Sequence, residues 1–176
     1  VNSLTTFDDW LRNANFVFPT LPGPSLDPFV EPTAVADWNL IDIRHIVSRG
    51  IVGMIFGWGV SEEGSNTALL VATGVRSVDA RPGRFHGNWD YFGVAMIEGE
   101  ITPHSITVEV SSFTGWPDGI VRVEAGSLLL LVGYSEGFIG SHDAPPDLQM
   151  DSDETIWAQI PGWQSPFTPR FARKFP

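Results

Sequence analysis

Apolar residues in this chain come in short runs separated by glycine, proline and charge. Ile51 to Trp58 (IVGMIFGW), Thr67 to Val75 (TALLVATGV), Tyr91 to Ile97, Ser105 to Val110, Ile120 to Glu124 and Ser127 to Tyr134 (SLLLLVGY) each have strand length and strand composition. Ser105 to Val110 alternates: Ile106, Val108 and Val110 face one way, Thr107 and Glu109 the other. Ile51–Trp58 and Ser127–Tyr134 do not alternate, the pattern of strands buried on both faces. The breaks are turn chemistry: Glu98-Gly99-Glu100, Trp116-Pro117-Asp118-Gly119 and Ala125-Gly126, with a longer loop over 76–90. Phe16–Pro19 adds a brief strand and Ile156–Ile160 an edge strand. The texture is that of an all-β domain with roughly seven or eight strands.

Two segments follow a helical period instead. Over residues 5–12, Phe7, Trp10 and Leu11 recur at i, i+3, i+4, Thr5 or Thr6 is placed to cap, and Asp8 and Asp9 fall in the first turn, where the helix dipole favours anions. Over residues 36–47, Trp38, Ile41 and His45 share one side, which predicts a second short helix. Residues 19–33 hold Pro19, Pro22, Pro24, Pro28 and Pro32, which exclude a regular helix or central strand and predict a crossing loop or arm. Beyond Phe138 the chain turns Gly-, Pro- and Asp-rich, and residues 162–176 read as a tail with aromatic anchors and a basic cluster. The division expected is an N-terminal helix and Pro-rich arm over 1–35, a β core over 36–146, and an acidic loop with a C-terminal tail over 147–176. On this reading, removing residues 161–176 leaves the core folded.

Composition narrows the function. At 176 residues the chain has the length of one domain, and its charged fraction of 18% lies below the usual ~25%. Much of the surface is therefore neutral or apolar, as on proteins covered by a partner. The net charge of −11 opposes a general grip on nucleic acid and leaves only local basic segments for it. With no cysteine there is no disulfide, thiolate nucleophile or Cys-zinc site. No apolar run approaches the ~20 residues that span a bilayer. The first residues, Val1-Asn2-Ser3, lack both an initiating Met and a signal pattern, as in a processed or trimmed product.

Candidate chemistry is sparse. Of the histidines His45, His86, His104 and His142, only His104 adjoins a serine, Ser105, with Asp118 downstream. A Ser-His-Asp device assembles in space, but the Gly-x-Ser-x-Gly elbow is missing, so a loop histidine beside a strand-initiating serine is the favoured expectation. Asp143, Asp147, Asp151, Asp153 and Glu154 offer oxygens for Ca²⁺ without the spacing of an EF-hand loop, and a solvated acidic loop explains them better. Glu98, Glu100, Glu109 and Glu124 are strand carboxylates of the kind a glycosidase pairs, with nothing in the sequence to single them out. Gly57-Trp58-Gly59 lacks the third glycine of a dinucleotide fingerprint. Arg170, Arg173 and Lys174, interleaved with Phe171 and Phe175, are a local signal for RNA or for docking on a neighbour. These residues give no catalytic, cofactor or metal set, and the expectation is a protein that is not an enzyme.

The order of four segments resembles the coat proteins of picorna-like viruses, the relatives of dicistroviruses, iflaviruses and marine picorna-like viruses. Thr6-Phe7-Asp8-Asp9-Trp10-Leu11-Arg12 is similar to the short helix that precedes the barrel in many such subunits. Trp38 to Phe56, a helix running into Ser48-Arg49-Gly50-Ile51-Val52, resembles the family's aromatic-Arg-Gly-Ser-Ile segment entering a central strand, with Ser48 in place of the aromatic and Ile51 in place of Ser. Thr107-Val108-Glu109-Val110-Ser111-Ser112-Phe113 resembles a Val-Glu-Val-Pro-Tyr-Tyr stretch, with Ser111 and Ser112 where Pro-Tyr would stand. Leu129 to Pro146 is similar to the last barrel strand and its Pro-Pro exit. The resemblance implies an eight-stranded antiparallel jelly roll of two packed sheets. It also implies a structural subunit of an icosahedral capsid around single-stranded RNA, in the virion and, during assembly, the host cytoplasm. Its partners would be homologous subunits, genomic RNA through the basic tail, and a host receptor. The maturation-linked Asp-Asp-Phe motif of some members does not carry over, since Ser135-Glu136-Gly137-Phe138 stands at that place and Asp8-Asp9 precedes Trp10. The alternative expectation is a free-standing β-sandwich that binds carbohydrate or a receptor.

Overall fold

The structure, a computed structural model, describes residues 5–13, 21–25, 27–35, 38–57, 64–81, 92–102, 104–112, 120–136, 138 and 161–175. These residues form one short helix and nine strands. The helix is α1 (Phe7–Arg12), and the strands are β1 (Asn39–Ile46), β2 (Ile51–Gly57), β3 (Thr67–Thr73), β4 (Ser77–Arg81), β5 (Phe92–Ile101), β6 (Ile106–Ser112), β7 (Ile120–Ala125), β8 (Ser127–Tyr134) and β9 (Thr168–Phe175). The strands run antiparallel in the order β4-β7-β6-β5-β1-β2-β3-β8-β9. The order divides into two sheets whose strands, among the described residues, pair with each other at Asn39–Gly93 and Leu40–Phe92. One sheet is β4-β7-β6-β5 and the other β1-β2-β3-β8-β9. The all-β sandwich expected from the sequence is present.

The main core lies between the sheets. Val52, Met54, Phe56, Leu70, Leu128, Leu130 and Val132 of the five-stranded sheet face Ile97, Ile106, Val108, Val110, Val121 and Val123 of the four-stranded sheet. The five-stranded sheet also buries its other face. Ile51, Ile55, Leu69, Val71, Leu129 and Leu131 pack under Phe7, Trp10 and Leu11 of α1 and under Trp163 and Phe167. That third layer explains the unbroken apolar runs of β2, β3 and β8: a strand covered on both sides has no polar face to alternate with. β7 is covered on one side only and alternates. At Gly53 the layer comes so close that a Cβ would lie 2.6 Å from Leu11 Cδ1 and 2.8 Å from Trp163 Cη2.

α1 forms where the sequence places it. Thr6 Oγ1 accepts the Asp9 amide and Asp9 Oδ2 accepts the Thr6 amide, a closed capping box. Asp8 ties the helix down by pairing with Arg12 at 2.6 Å and with Arg44 of β1 at 2.7 Å. Arg44 in turn lies 4.7 Å from the Trp163 ring centroid, and the Trp163 indole N–H donates to Asp42 at 2.7 Å.

Several expectations are corrected. The predicted helix over 36–47 is strand β1. A bulge between Leu40 and Asp42 interrupts its alternation, so Leu40 and Ile43 reach the inner core while Ile41 and Ile46 pack on the outer layer. The expected stripe of Trp38, Ile41 and His45 is not one face: Trp38 lies in the inner core, Ile41 packs on the outer layer and His45 is exposed. The predicted loop after Val75 contains β4, which pairs with β7 from Ser77 to Arg81. The turn read at Glu98-Gly99-Glu100 lies inside β5. The predicted C-terminal tail is β9, an edge strand paired with β8 from Thr168 to Phe175. Pro169 is tolerated there because it sits at a register shift opposite Gly133, whose missing Cβ admits the Thr168 carbonyl. The eight-stranded jelly-roll order is not reproduced: β1-β2-β3 and β5-β6-β7 are meanders, with β4 returning beside β7 as in a Greek key. Local turns set this order, among them Gly50 in the left-handed region (φ 58°) between β1 and β2. The chain changes sheets at Gly74 and Gly126, which pack against each other. The strands read at Phe16–Pro19 and Ile156–Ile160, the Trp116–Gly119 turn and the acidic stretch from Asp143 to Glu154 lie outside the described residues.

Candidate docking groove

The Pro-rich arm is ordered over residues 27–35 by a buried carboxylate. Asp27 is 7% exposed, accepts the Phe29 amide at 2.9 Å, and pairs with Arg173 of β9. The amides of Val30 and Glu31 return to the Asp27 carbonyl, and a 3-10 turn, Pro32–Val35, follows. Phe29 then sits between the two sheets' rims. Its ring is 4.3 Å from that of Phe175 on β9, and a Cβ on Gly99 of β5 would lie 2.3 Å from its Cδ1. The arm therefore straps β9 to β5, and Gly99 is glycine because the strap's ring occupies its side-chain space.

The strap forms one wall of a groove of about 720 Å³ on the outer face of the four-stranded sheet. Pro28, Phe29, Val30 and Pro32 make the apolar wall, and Glu98, Glu100, Thr107, Glu109, Arg122, Glu124 and Ser77 the polar floor. Strand register explains the floor. Glu98 pairs with Glu109, Glu109 with Arg122, and Arg122 with Asp79, making one row of outward side chains across four strands. The next row is Glu100, Thr107, Glu124 and Ser77.

Charge is unevenly satisfied along these rows. Arg122 donates through Nε to Glu109 at 2.8 Å and also through Nη2. Arg76 reaches Glu124 at 3.4 Å and donates to the His104 carbonyl at 2.8 Å, and the Ser77 hydroxyl lies 3.5 Å from Glu124. Glu98 stands directly opposite Glu109, and among the described residues no cation pairs with it. Like charges placed directly opposite destabilise a strand pair. Among the described residues no three carboxylate or imidazole groups are arranged to hold a metal ion.

The other sequence candidates fall elsewhere. His104 is exposed in the β5–β6 turn, and Ser105 there shares hydrogen bonds with Thr102, Oγ to Oγ1 at 3.1 Å. Asp118, His86 and His142 lie outside the described residues, and His45 is exposed on β1. Arg173 is committed to Asp27, while Arg170 and Lys174 are exposed on β9. Asp9 serves the helix cap; hydrogen bonds from the Thr5 backbone and the Thr6 side chain hold its carboxyl below the usual value. The Ser135–Phe138 segment is a structural latch. Asn66 accepts the Ser135 amide at 2.8 Å and donates to the Ser135 and Phe138 carbonyls, and the Ser135 hydroxyl donates to the Pro166 carbonyl at 2.8 Å.

Among the described residues singled out in the sequence, the four glutamates Glu98, Glu100, Glu109 and Glu124 are brought together along one groove. The sequence did not reveal their pairing with Arg122 or the strap wall. The alternation Arg122–Glu124 against Thr107–Glu109 carried the first signal, since residues two apart share a face. No family model, curated protein or solved structure matches this chain.

Proposed function

We propose that the chain is a structural subunit that works by association, of the kind that builds an icosahedral capsid around single-stranded RNA. In this reading its partners are homologous subunits, and it resides in the virion and, during assembly, the host cytoplasm. The observation that carries the reading is the groove. An apolar wall, with Val30 71% exposed, runs beside a floor of paired and unpaired charges on an outward sheet face. Such a face recognises another surface by shape and charge. The all-β sandwich and the order of the segments resembling picorna-like coat proteins support it. Of those segments, Thr6–Arg12 is the capped helix on the outer layer, whereas Trp38–Phe56 holds the β1–β2 hairpin in place of a helix running into a strand.

Co-expression with the products of neighbouring reading frames, followed by negative-stain microscopy, tests the proposal. Closed shells tens of nanometres across, on the order of the size that many-subunit assembly gives, are the expected result. A single unassembled species under every condition refutes it.

A second reading, a carbohydrate-binding module, is favoured by the same groove, whose carboxylates accept hydrogen bonds from hydroxyl groups. A glycan array separates the two: a defined oligosaccharide bound by the wild type and lost in Glu98→Gln/Glu100→Gln would move the assignment there.

A further inference from the structure

The groove's occupant is legible from its charge and its geometry, and this step rests on the association reading above. Glu98 and Glu100 are successive outward residues of β5, so their backbone positions are two strand residues apart, about 6.6–6.8 Å. They flank Gly99, whose side-chain direction is the opposite, inner face of β5, where the Phe29 ring lies; the strap residues Val30 and Pro32 line the groove with the two acids. Both are exposed, and the neighbouring cations are engaged with the other two glutamates, Arg122 of the floor with Glu109 and Arg76 beside it with Glu124. A chain of net charge −11 adds a long-range field that attracts cations. The carboxylates are not grouped to hold a metal among the described residues, so the cations that fit are separate ones, each meeting one acid.

We propose that the groove receives an extended basic segment of a partner polypeptide, with Lys or Arg at alternate positions. An extended strand repeats its side chains at the same two-residue spacing as Glu98 and Glu100, which sets basic residues i and i+2 over the two acids. The stems of those side chains, and apolar neighbours, lie along Phe29, Val30 and Pro32. The first basic residue also relieves the repulsion between Glu98 and Glu109. A second copy of this chain is a poorer occupant: its exposed Arg170 and Lys174 stand four residues apart on β9 rather than two, and two chains of −11 repel.

Fluorescence anisotropy of the full chain with a fluorescein-labelled peptide of alternating lysine and valine tests this. The wild type binds, and affinity falls as salt rises. Glu98→Gln/Glu100→Gln weakens binding tenfold or more, and Val30→Ser by about threefold, the scale of removing a small apolar contact. Glu136→Gln, an exposed acid beyond the end of β8, leaves binding unchanged. Urea unfolding of each variant confirms that the fold is retained. Equal loss in Glu136→Gln, which marks non-specific attraction to an acidic protein, overturns the proposal. So does binding that survives the double substitution, or displacement of the peptide by a neutral oligosaccharide. Failure of the groove and failure of the association reading are distinguishable. Shells that form normally from a chain carrying Glu98→Gln/Glu100→Gln reject the groove alone. Groove-dependent peptide binding by a chain that never assembles rejects the association reading alone.

Discussion

Asp27 and Arg173 form an ion pair whose two ends differ in exposure, and the difference makes an asymmetric prediction. Asp27 is 7% exposed and the Arg173 side chain 42%. Arg173→Ala leaves a carboxylate at the rim of the core with no cation and little water. Removing one partner of a buried pair costs about 3–5 kcal/mol, and partial exposure of this one places the loss near the lower end. Loss of the Arg173 guanidinium over the Phe175 ring, 5.0 Å from its centroid, is also included. Asp27→Asn strands only the guanidinium, which water reaches, and the Asn carbonyl still accepts the Phe29 amide. Its cost is about 1 kcal/mol, the net value of an ordinary hydrogen bond. In urea, with a slope of about 2 kcal/mol/M, Arg173→Ala lowers the midpoint by about 1.5 M and Asp27→Asn by about 0.5 M. The double variant is less damaged than the sum of the singles, because the buried carboxylate is gone. Equal midpoints for the two single variants, or a greater loss for Asp27→Asn, would refute the claim that burial of Asp27 locks the strap.

Four further outcomes follow from other parts of the fold. Gly53→Ala forces a methyl into Leu11 and Trp163 and costs about 1–3 kcal/mol, seen as a lower urea midpoint. Glu98→Gln removes a like-charge cross-strand pair and stabilises by a few tenths of a kcal/mol, on the order of such pairs, a gain that shrinks in high salt. Removal of residues 161–175 uncovers Leu129 and Leu131 and frees the β8 edge, so the remainder loses its cooperative unfolding transition in calorimetry. The Asp9 carboxyl titrates below its usual value in the folded chain, so its contribution is complete above the unfolded pKa and disappears as pH falls through the folded one. Asp9→Asn therefore flattens the acid limb of the stability–pH curve.

Where one physical signal dominated, the sequence was readable. The helix over 7–12 combined a cap, acidic first-turn residues and an apolar stripe, and all three appear in the structure. β2, β3 and β8 were legible as apolar runs because a third layer buries their second face. Two of the failures fall at register shifts. The bulge between Leu40 and Asp42 breaks the alternation of β1, and the bulge at Arg170 hid β9 behind a proline. β4 was missed because Ser77-Val78-Asp79-Ala80-Arg81 is polar, as an edge strand with one face in water is. The four glutamates were noticed as strand carboxylates, but their convergence depended on the β5–β6 and β6–β7 registers, which lie across the chain rather than along it. The strap depended on one aspartate, Asp27, finding an arginine far along the chain, and no local pattern announces that.

The central claim is that this chain acts by joining other chains. Light scattering, on the protein purified alone and together with its neighbouring reading-frame products, measures that directly. The account predicts particles of many subunits when the partners are present. A mass of 19.3 kDa at every concentration and in every combination would contradict it.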